Sequence, residues 1–147
     1  MSDQDLRRAL LGTWRLISCQ DNVDGTPVKP FGDYPQGYLV YTPDGHVFVQ
    51  FAASERPELF GRSALGPALL ETTAANTAIG FGGYCGTFEV RDGQVVHHME
   101  FNPSLRFMDG RSEARSVVLD GDRAILGTPR GRQFEWQRVD SAEVNNS

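Results

Sequence analysis

Two adjacent histidines, His97 and His98, are the residues best suited to proton transfer in this sequence. They lie in a run that alternates like a β-strand, so their side chains point to opposite faces and cannot bind one metal ion together. The face of His97 also carries Val95, Met99 and Phe101, which makes it the more apolar face and the one expected to line an interior. With an ordinary pKa of about 6.5, His97 could donate or accept a proton near neutral pH. The alternative is a wall residue that only makes hydrogen bonds.

A tyrosine on the preceding strand is expected to face the same interior. Tyr84 shares a strand face with Gly86 and Phe88. Its hydroxyl would orient an oxygen atom of a bound molecule, and Gly86 would leave space beside it. Without such a role, Tyr84 is a core aromatic residue whose hydroxyl has a partner. The residues predicted to contact the bound molecule are Tyr38, Phe88, Met99 and Phe101.

Two further strands are compatible with either of two phases. In the strand at 36–42, Tyr38 and Val40 are taken to face inward, but Leu39 and Tyr41 on the opposite face leave that phase open. In the strand at 112–119, one phase places Glu113 and Arg115 inside, where Arg115 would hold a carboxylate or enolate oxygen. The other phase leaves Arg115 in solvent and turns a mostly small set inward: Ser112, Ala114, Ser116 and Val118.

Matching motifs at the two ends of the chain indicate a barrel that is closed at one end. Gly12 and Trp14 stand at the start of the first strand, and Arg138 stands near the end of the last. The indole would fill the floor, with the guanidinium stacked on it and bonded to nearby carbonyls. Gly12, Trp14 and Arg138 are therefore predicted to form a structural plug.

Between these ends the sequence reads as short strands joined by turns that contain glycine. Strands are predicted over residues 11–20, 37–41, 46–52, 84–91, 94–102, 112–119, 123–127 and 132–139. A helix capped by Ser2 or Asp3 should end at Leu10, and residues 21–35 are expected to form a polar loop. Eight strands in hairpin order predict an all-β protein: an eight-stranded antiparallel up-and-down barrel. It would form a single domain over 1–147 with its core at 11–139.

One segment, at 54–80, lacks strand alternation. Gly66-Pro67 precedes, and Gly80 follows, a run of Ala, Leu and Thr that suits a helix of about 12 residues. Its place between the third and fourth strands would lay it across the open end as a lid. An outer face left uncovered by this lid would allow a homodimer; the face considered is Val47, Val49 and Phe51.

Charge and composition argue against several classes of protein. The net charge is −5 over 147 residues, and the basic residues are scattered. Nucleic acids and anionic membrane surfaces both require a basic face, so neither is an expected partner. No apolar run is long enough to span a membrane, and the charged first ten residues do not resemble a secretory signal, so a cytoplasmic location is expected. Cys19 and Cys85 are interpreted as reduced packing residues.

Other kinds of active site are not indicated. His46 is the only further histidine, and no Cys/His spacing resembles a zinc site. The sequence shows no nucleophile elbow, no phosphate-binding glycine loop and no Ser/His/Asp set. We therefore expect no metal and no cofactor.

Several motifs follow one another in chain order over roughly residues 9–139. They are Leu11-Gly12-Thr13-Trp14-Arg15-Leu16, Pro35-Gln36-Gly37-Tyr38-Leu39-Val40-Tyr41-Thr42-Pro43-Asp44-Gly45, Val95-Val96-His97-His98, Leu119-Asp120-Gly121-Asp122-Arg123 and Trp136-x-Arg138. Together they resemble the bacterial and fungal lipocalin-like domain family of small intracellular proteins. The resemblance implies a calycin-type eight-stranded barrel. Members often accompany natural-product pathways; some similar barrels cyclise or isomerise a polyketide-like substrate, and others only bind.

Three functions are compatible with these observations. In the first, the barrel binds a small, largely apolar molecule and catalyses its cofactor-free cyclisation or isomerisation, with His97 as acid/base and Tyr84 or Arg115 stabilising charge. In the second, the same cavity belongs to a non-catalytic carrier or sequestering protein. In the third, side chains fill the barrel, which then acts as an interaction module. The first is our prediction and the carrier is its alternative.

Overall fold

The computed structural model describes residues 1–55, 80–103 and 108–139. This part of the chain contains one helix and nine strands. They are α1 (Asp3–Leu10), β1 (Gly12–Val23), β2 (Thr26–Val28), β3 (Gln36–Tyr41), β4 (His46–Ala52), β5 (Phe81–Arg91), β6 (Gln94–Phe101), β7 (Ser112–Asp120), β8 (Arg123–Gly127) and β9 (Gln133–Arg138). Within the described residues, no helix has the length and apolar character needed to cross a bilayer.

Eight of these strands close into an antiparallel barrel. Neighbours from β3 to β9 pair in chain order, and β1 pairs with both β3 and β9, which completes the circle. The predicted eight-stranded barrel is therefore confirmed. The loop expected at 21–35 is partly wrong, because β1 continues to Val23 and forms a hairpin with β2. Asp24 and Gly25 form the two-residue turn of this hairpin. Their φ angles of 50° and 82° are both positive, as a type I′ turn requires.

Helix α1 covers one end of the barrel. Ser2 caps it by accepting a hydrogen bond from the Asp5 N–H at 3.1 Å. Leu6 and Leu10 are buried against the barrel core. The Asp3 carboxylate accepts hydrogen bonds from the N–H groups of Asp92 and Gly93 at the β5–β6 turn. Helix and barrel are therefore joined by apolar packing and by backbone hydrogen bonds.

The first and last strands meet beneath this helix. The Trp14 Nε1–H donates to the Leu10 carbonyl at 2.9 Å, and the Arg138 guanidinium lies 4.2 Å from the Trp14 ring centroid. Arg138 also donates to the Leu11 carbonyl at 2.7 Å and to the Ala9 carbonyl. It thereby satisfies carbonyls that the helix end leaves without an intrahelical partner. We call this arrangement the barrel plug.

The inward faces of β3 and β4 are opposite to those expected. Leu39 and Tyr41 are 2% and 1% exposed, whereas Tyr38 is 45% exposed, with Arg15 stacked over its ring outside the barrel. Tyr41 is held inside by ring contact with Phe88 at 4.7 Å. The interior position predicted for Tyr38 is therefore wrong.

The same correction applies to the face proposed for a homodimer. Val47 and Val49 on β4 are buried, and the ring of Phe51 packs against that of Phe134 at 5.2 Å. Phe48 is the exposed apolar residue of this strand. The outward surface of β4 therefore does not contain the Val47, Val49 and Phe51 set.

A β-bulge in β6 reverses the phase at the end of that strand. Gly86 pairs with Met99 but Cys85 pairs with Phe101, so Glu100 is an extra residue. Phe101 consequently points outward at 55% exposure, and Asn102 is buried. A Cβ at Gly86 would collide with the His98 carbonyl. The glycine therefore permits close approach of two strands, and the expectations that Phe101 faces inward and that Gly86 leaves space for a ligand are wrong.

The helical lid expected at 54–80 lies outside the described residues except for its first two positions and its last. The single-domain assignment stays a prediction.

Candidate functional site

The barrel encloses a cavity of about 460 Å³, within the range of small-molecule sites. It lies beyond the plug, towards the end of the barrel where β1 finishes and β9 begins. Its apolar lining includes Leu39, Val49, Phe51, Leu126, Phe134 and Trp136. Its deeper polar lining is Tyr84, His97, Glu113 and Arg115. The interior is thus hollow, with apolar walls and a polar cluster on β5, β6 and β7.

His97 is at the centre of this cluster. It is 2% exposed, its Nε2 lies 2.6 Å from the Tyr41 hydroxyl, and its Nδ1 lies 2.6 Å from the Tyr84 hydroxyl. Burial, with smaller contributions from Arg115 and His98, lowers the pKa of His97 to about 3. The imidazole is therefore neutral at neutral pH, with one nitrogen a donor and the other an acceptor.

Arg115 faces the cavity from β7, in the phase that places Glu113 beside it. It is 7% exposed and donates to the Glu113 carboxylate at 2.6 Å. Burial alone would lower the pKa of Arg115, but its interactions with Tyr84 and Glu113 outweigh burial and raise it. Burial raises the pKa of Tyr84 despite the nearby guanidinium. At neutral pH the cluster thus contains a charged guanidinium, paired with Glu113, and a protonated phenol.

His98 lies on the outer face of β6, as strand alternation requires. Its ring nitrogens lie 2.6 Å from the Ser112 hydroxyl and 3.0 Å from a Glu89 carboxylate oxygen. Across the described ranges, no three His, Cys, Asp or Glu side chains cluster closely enough to hold a metal ion.

Two residues predicted to contact a ligand are buried elsewhere in the fold. Phe88 packs on Tyr41 and under the Arg7 guanidinium near α1, and Met99 is 1% exposed. Neither lines the cavity. Of the residues predicted for the site, the structure thus brings Tyr84, His97 and Arg115 together at the cavity, but not Tyr38, Phe88, Met99 or Phe101.

An aromatic series forms another wall of the cavity. Trp136 stacks on Phe134 at 6.0 Å, Phe134 contacts Phe51, and Phe51 contacts Phe31, both at 5.2 Å. Arg132 lies 5.4 Å above Phe31. It also donates twice to the Asp21 carboxylate, at 2.7 and 2.9 Å. This wall would hold a flat apolar molecule by ring stacking.

Sequence reasoning missed two residues of the site. Tyr41 lies on the face of β3 opposite to the predicted inward face, and its contact with His97 joins residues 56 positions apart. For Trp136 the sequence indicates only a motif at the end of the chain. Its Nε1–H is buried and has no hydrogen-bond acceptor among the described residues. The period-two spacing of Phe134 and Trp136 was the available signal that both share one face.

A search of curated proteins finds no match for this chain. A family model described as a lipocalin-like domain matches residues 11–143, which include the whole barrel. A closed eight-stranded barrel with an internal cavity fits the binding of a small molecule. The chain therefore belongs to the lipocalin-like domain family.

Proposed function

We propose that the protein binds a small, largely apolar molecule inside the barrel, with the polar end of that molecule at Tyr84 and Arg115. The observation that carries this proposal is the cavity of about 460 Å³ with apolar walls and a buried polar cluster. Apolar contact supplies most of the binding free energy in such a site, and a few polar groups fix the orientation.

The carrier and the enzyme differ in what the polar cluster does. A carrier needs only the hydrogen bonds. A cofactor-free cyclase or isomerase needs Tyr84 and Arg115 to stabilise negative charge on an oxygen atom as it develops. The lowered pKa of His97 makes its imidazole a poor base at neutral pH. This favours binding as the primary function and gives His97 a hydrogen-bonding role in either case.

Binding is tested with the neutral fluorescent probe N-phenyl-1-naphthylamine. The wild-type protein should enhance its fluorescence saturably. Leu126→Trp, which fills part of the cavity, should abolish the enhancement, with circular dichroism confirming that the barrel is retained. Phe48→Ser, on the outer wall, is the matched control and should bind like wild type. Equal binding by Leu126→Trp would place the probe outside the barrel and overturn the proposal.

Catalysis is tested with an extract of the source organism. Native mass spectrometry identifies what the protein retains, and the retained molecule is then incubated with fresh protein. A molecule recovered with an unchanged NMR spectrum indicates a carrier. A changed spectrum that depends on Tyr84 indicates an enzyme.

A further inference from the structure

The three groups hydrogen-bonded around His97 carry one proton more than their two hydrogen bonds require. Tyr41, His97 and Tyr84 form a chain with two short contacts. Each hydroxyl carries one proton and a neutral imidazole carries one, which makes three protons for two hydrogen bonds. One hydroxyl proton, on either Tyr41 or Tyr84, is therefore left over.

The surroundings of the two hydroxyls decide which one keeps it. Tyr41 is 1% exposed and does not line the cavity, and His97 is its only hydrogen-bond partner in the described part of the chain. If Nε2 of His97 carried the proton, the Tyr41 proton would be buried without an acceptor, which is unfavourable because the hydroxyl would lose its hydrogen bond to water and gain none in the protein. If Nδ1 carries it, Tyr41 donates to Nε2, and Nδ1–H donates to Tyr84. The spare proton then belongs to Tyr84, which lines the cavity.

Arg115 reinforces this direction. The Arg115 guanidinium lines the cavity together with Tyr84, and its positive charge opposes the effect of burial on the Tyr84 pKa. The Tyr84 oxygen thus accepts from Nδ1–H beside a fixed positive charge. Both effects polarise the phenol and strengthen the hydrogen bond that its own proton makes.

We propose that Tyr84 and Arg115 form a donor site for a carbonyl or enolate oxygen of the bound molecule, with His97 and Tyr41 as positioning residues that hold the Tyr84 proton towards the cavity. This inference rests on the proposed binding function and specifies its ligand as a carbonyl compound. The neutral state of His97 that the proton count requires agrees with its lowered pKa.

The ligand class is tested with two probes of nearly equal shape. In 2-isopropenylnaphthalene a CH₂ group replaces the ketone oxygen of 2-acetylnaphthalene. The wild-type protein should bind the ketone about 10-fold more tightly, because a hydrogen bond from a polarised donor favours it by that order. Tyr84→Phe should remove this preference and leave the affinity for the hydrocarbon within about 2-fold. Tyr38→Phe, on the outer wall, should keep the preference.

Equal binding of both probes by the wild-type protein would overturn the donor site while leaving cavity binding intact. Failure of both probes and of N-phenyl-1-naphthylamine would overturn both proposals.

The positioning role has its own measurement on the ligand-free protein. The ¹⁵N NMR spectrum of the histidine rings should show His97 protonated at Nδ1. In Tyr41→Phe the constraint is lost, and both tautomers should be populated. Protonation at Nε2 in the wild type, or an unchanged tautomer in Tyr41→Phe, would refute the proton count.

Discussion

Buried, neutral His97 should make the stability of the protein depend on pH. Its pKa is about 3 in the folded state, against an ordinary value of 6.5. Below pH 6.5 the imidazole of His97 is protonated in the unfolded chain but stays neutral in the folded protein. The contribution of His97 to the free energy of unfolding is therefore complete above about pH 7 and is lost progressively as the pH falls towards 3. At pH 5 the loss is about 2 kcal/mol, from RT ln(1 + 10^1.5), which is a large part of a typical domain stability.

The assay is urea unfolding of the wild type and of His97→Gln at pH 7.5 and pH 5. Glutamine keeps a donor and an acceptor but does not titrate. Other groups around the site, including Glu113 and Arg115, are common to both proteins, so the difference between the two isolates His97. At each pH, the free energy of unfolding of the variant is subtracted from that of the wild type. This difference should be about 2 kcal/mol smaller at pH 5 than at pH 7.5. His98→Gln, which changes the outward neighbour, should keep the His97 contribution. An equal difference at the two pH values would refute the conclusion that His97 is buried and neutral.

Two further predictions concern the barrel plug and the indoles. Arg138→Ala should lower the free energy of unfolding in urea by about 2–4 kcal/mol, because it removes two hydrogen bonds to helix-end carbonyls and the stacking on Trp14. Arg123→Ala is the control. Its ion pair is half exposed, so its loss should lower the free energy of unfolding by less than about 1 kcal/mol. Both indoles are buried, but Trp14→Phe should lower the free energy of unfolding by about 1–3 kcal/mol more than Trp136→Phe. Of the two substitutions, the one at Trp14 removes a hydrogen bond, whereas the one at Trp136 removes an N–H group that has no partner among the described residues. Similar losses for the two tryptophan variants would show that Trp136 Nε1 has a partner.

Local signals in the sequence predicted most of the barrel. The Asp92-Gly93 and Gly121-Asp122 turns fix their hairpins through short-range backbone geometry, and Ser2 fixes the start of α1. Asp24-Gly25 carries the same signal, and it makes the β1–β2 turn inside the segment expected to be a polar loop. Where a turn type is set by neighbouring residues, the sequence alone is enough.

The phases of β3 and the end of β6 depend on contacts that are distant in sequence. Residues 38 to 41 are apolar on both faces, so alternation cannot decide which face is buried. The Tyr41 ring is selected for the interior by Phe88 and His97. At Phe101 the alternation itself fails, since the extra residue Glu100 is visible only in the pairing with β5. One phase of β7 places Arg115 inside beside Glu113, but only the structure decides between the two phases.

The plug also sets the order in which the molecule can be completed. Arg138, which closes the end of α1, lies 127 residues from its acceptor Leu11. Until the ribosome has released the last strand, the edge of β1 that pairs with β9 lacks its partner strand, and the Ala9 and Leu11 carbonyls lack the Arg138 guanidinium. Contacts between residues this far apart in sequence form slowly. We therefore expect the barrel to close only once β9 is present, and the unpaired edge of β1 to favour edge-to-edge aggregation until then.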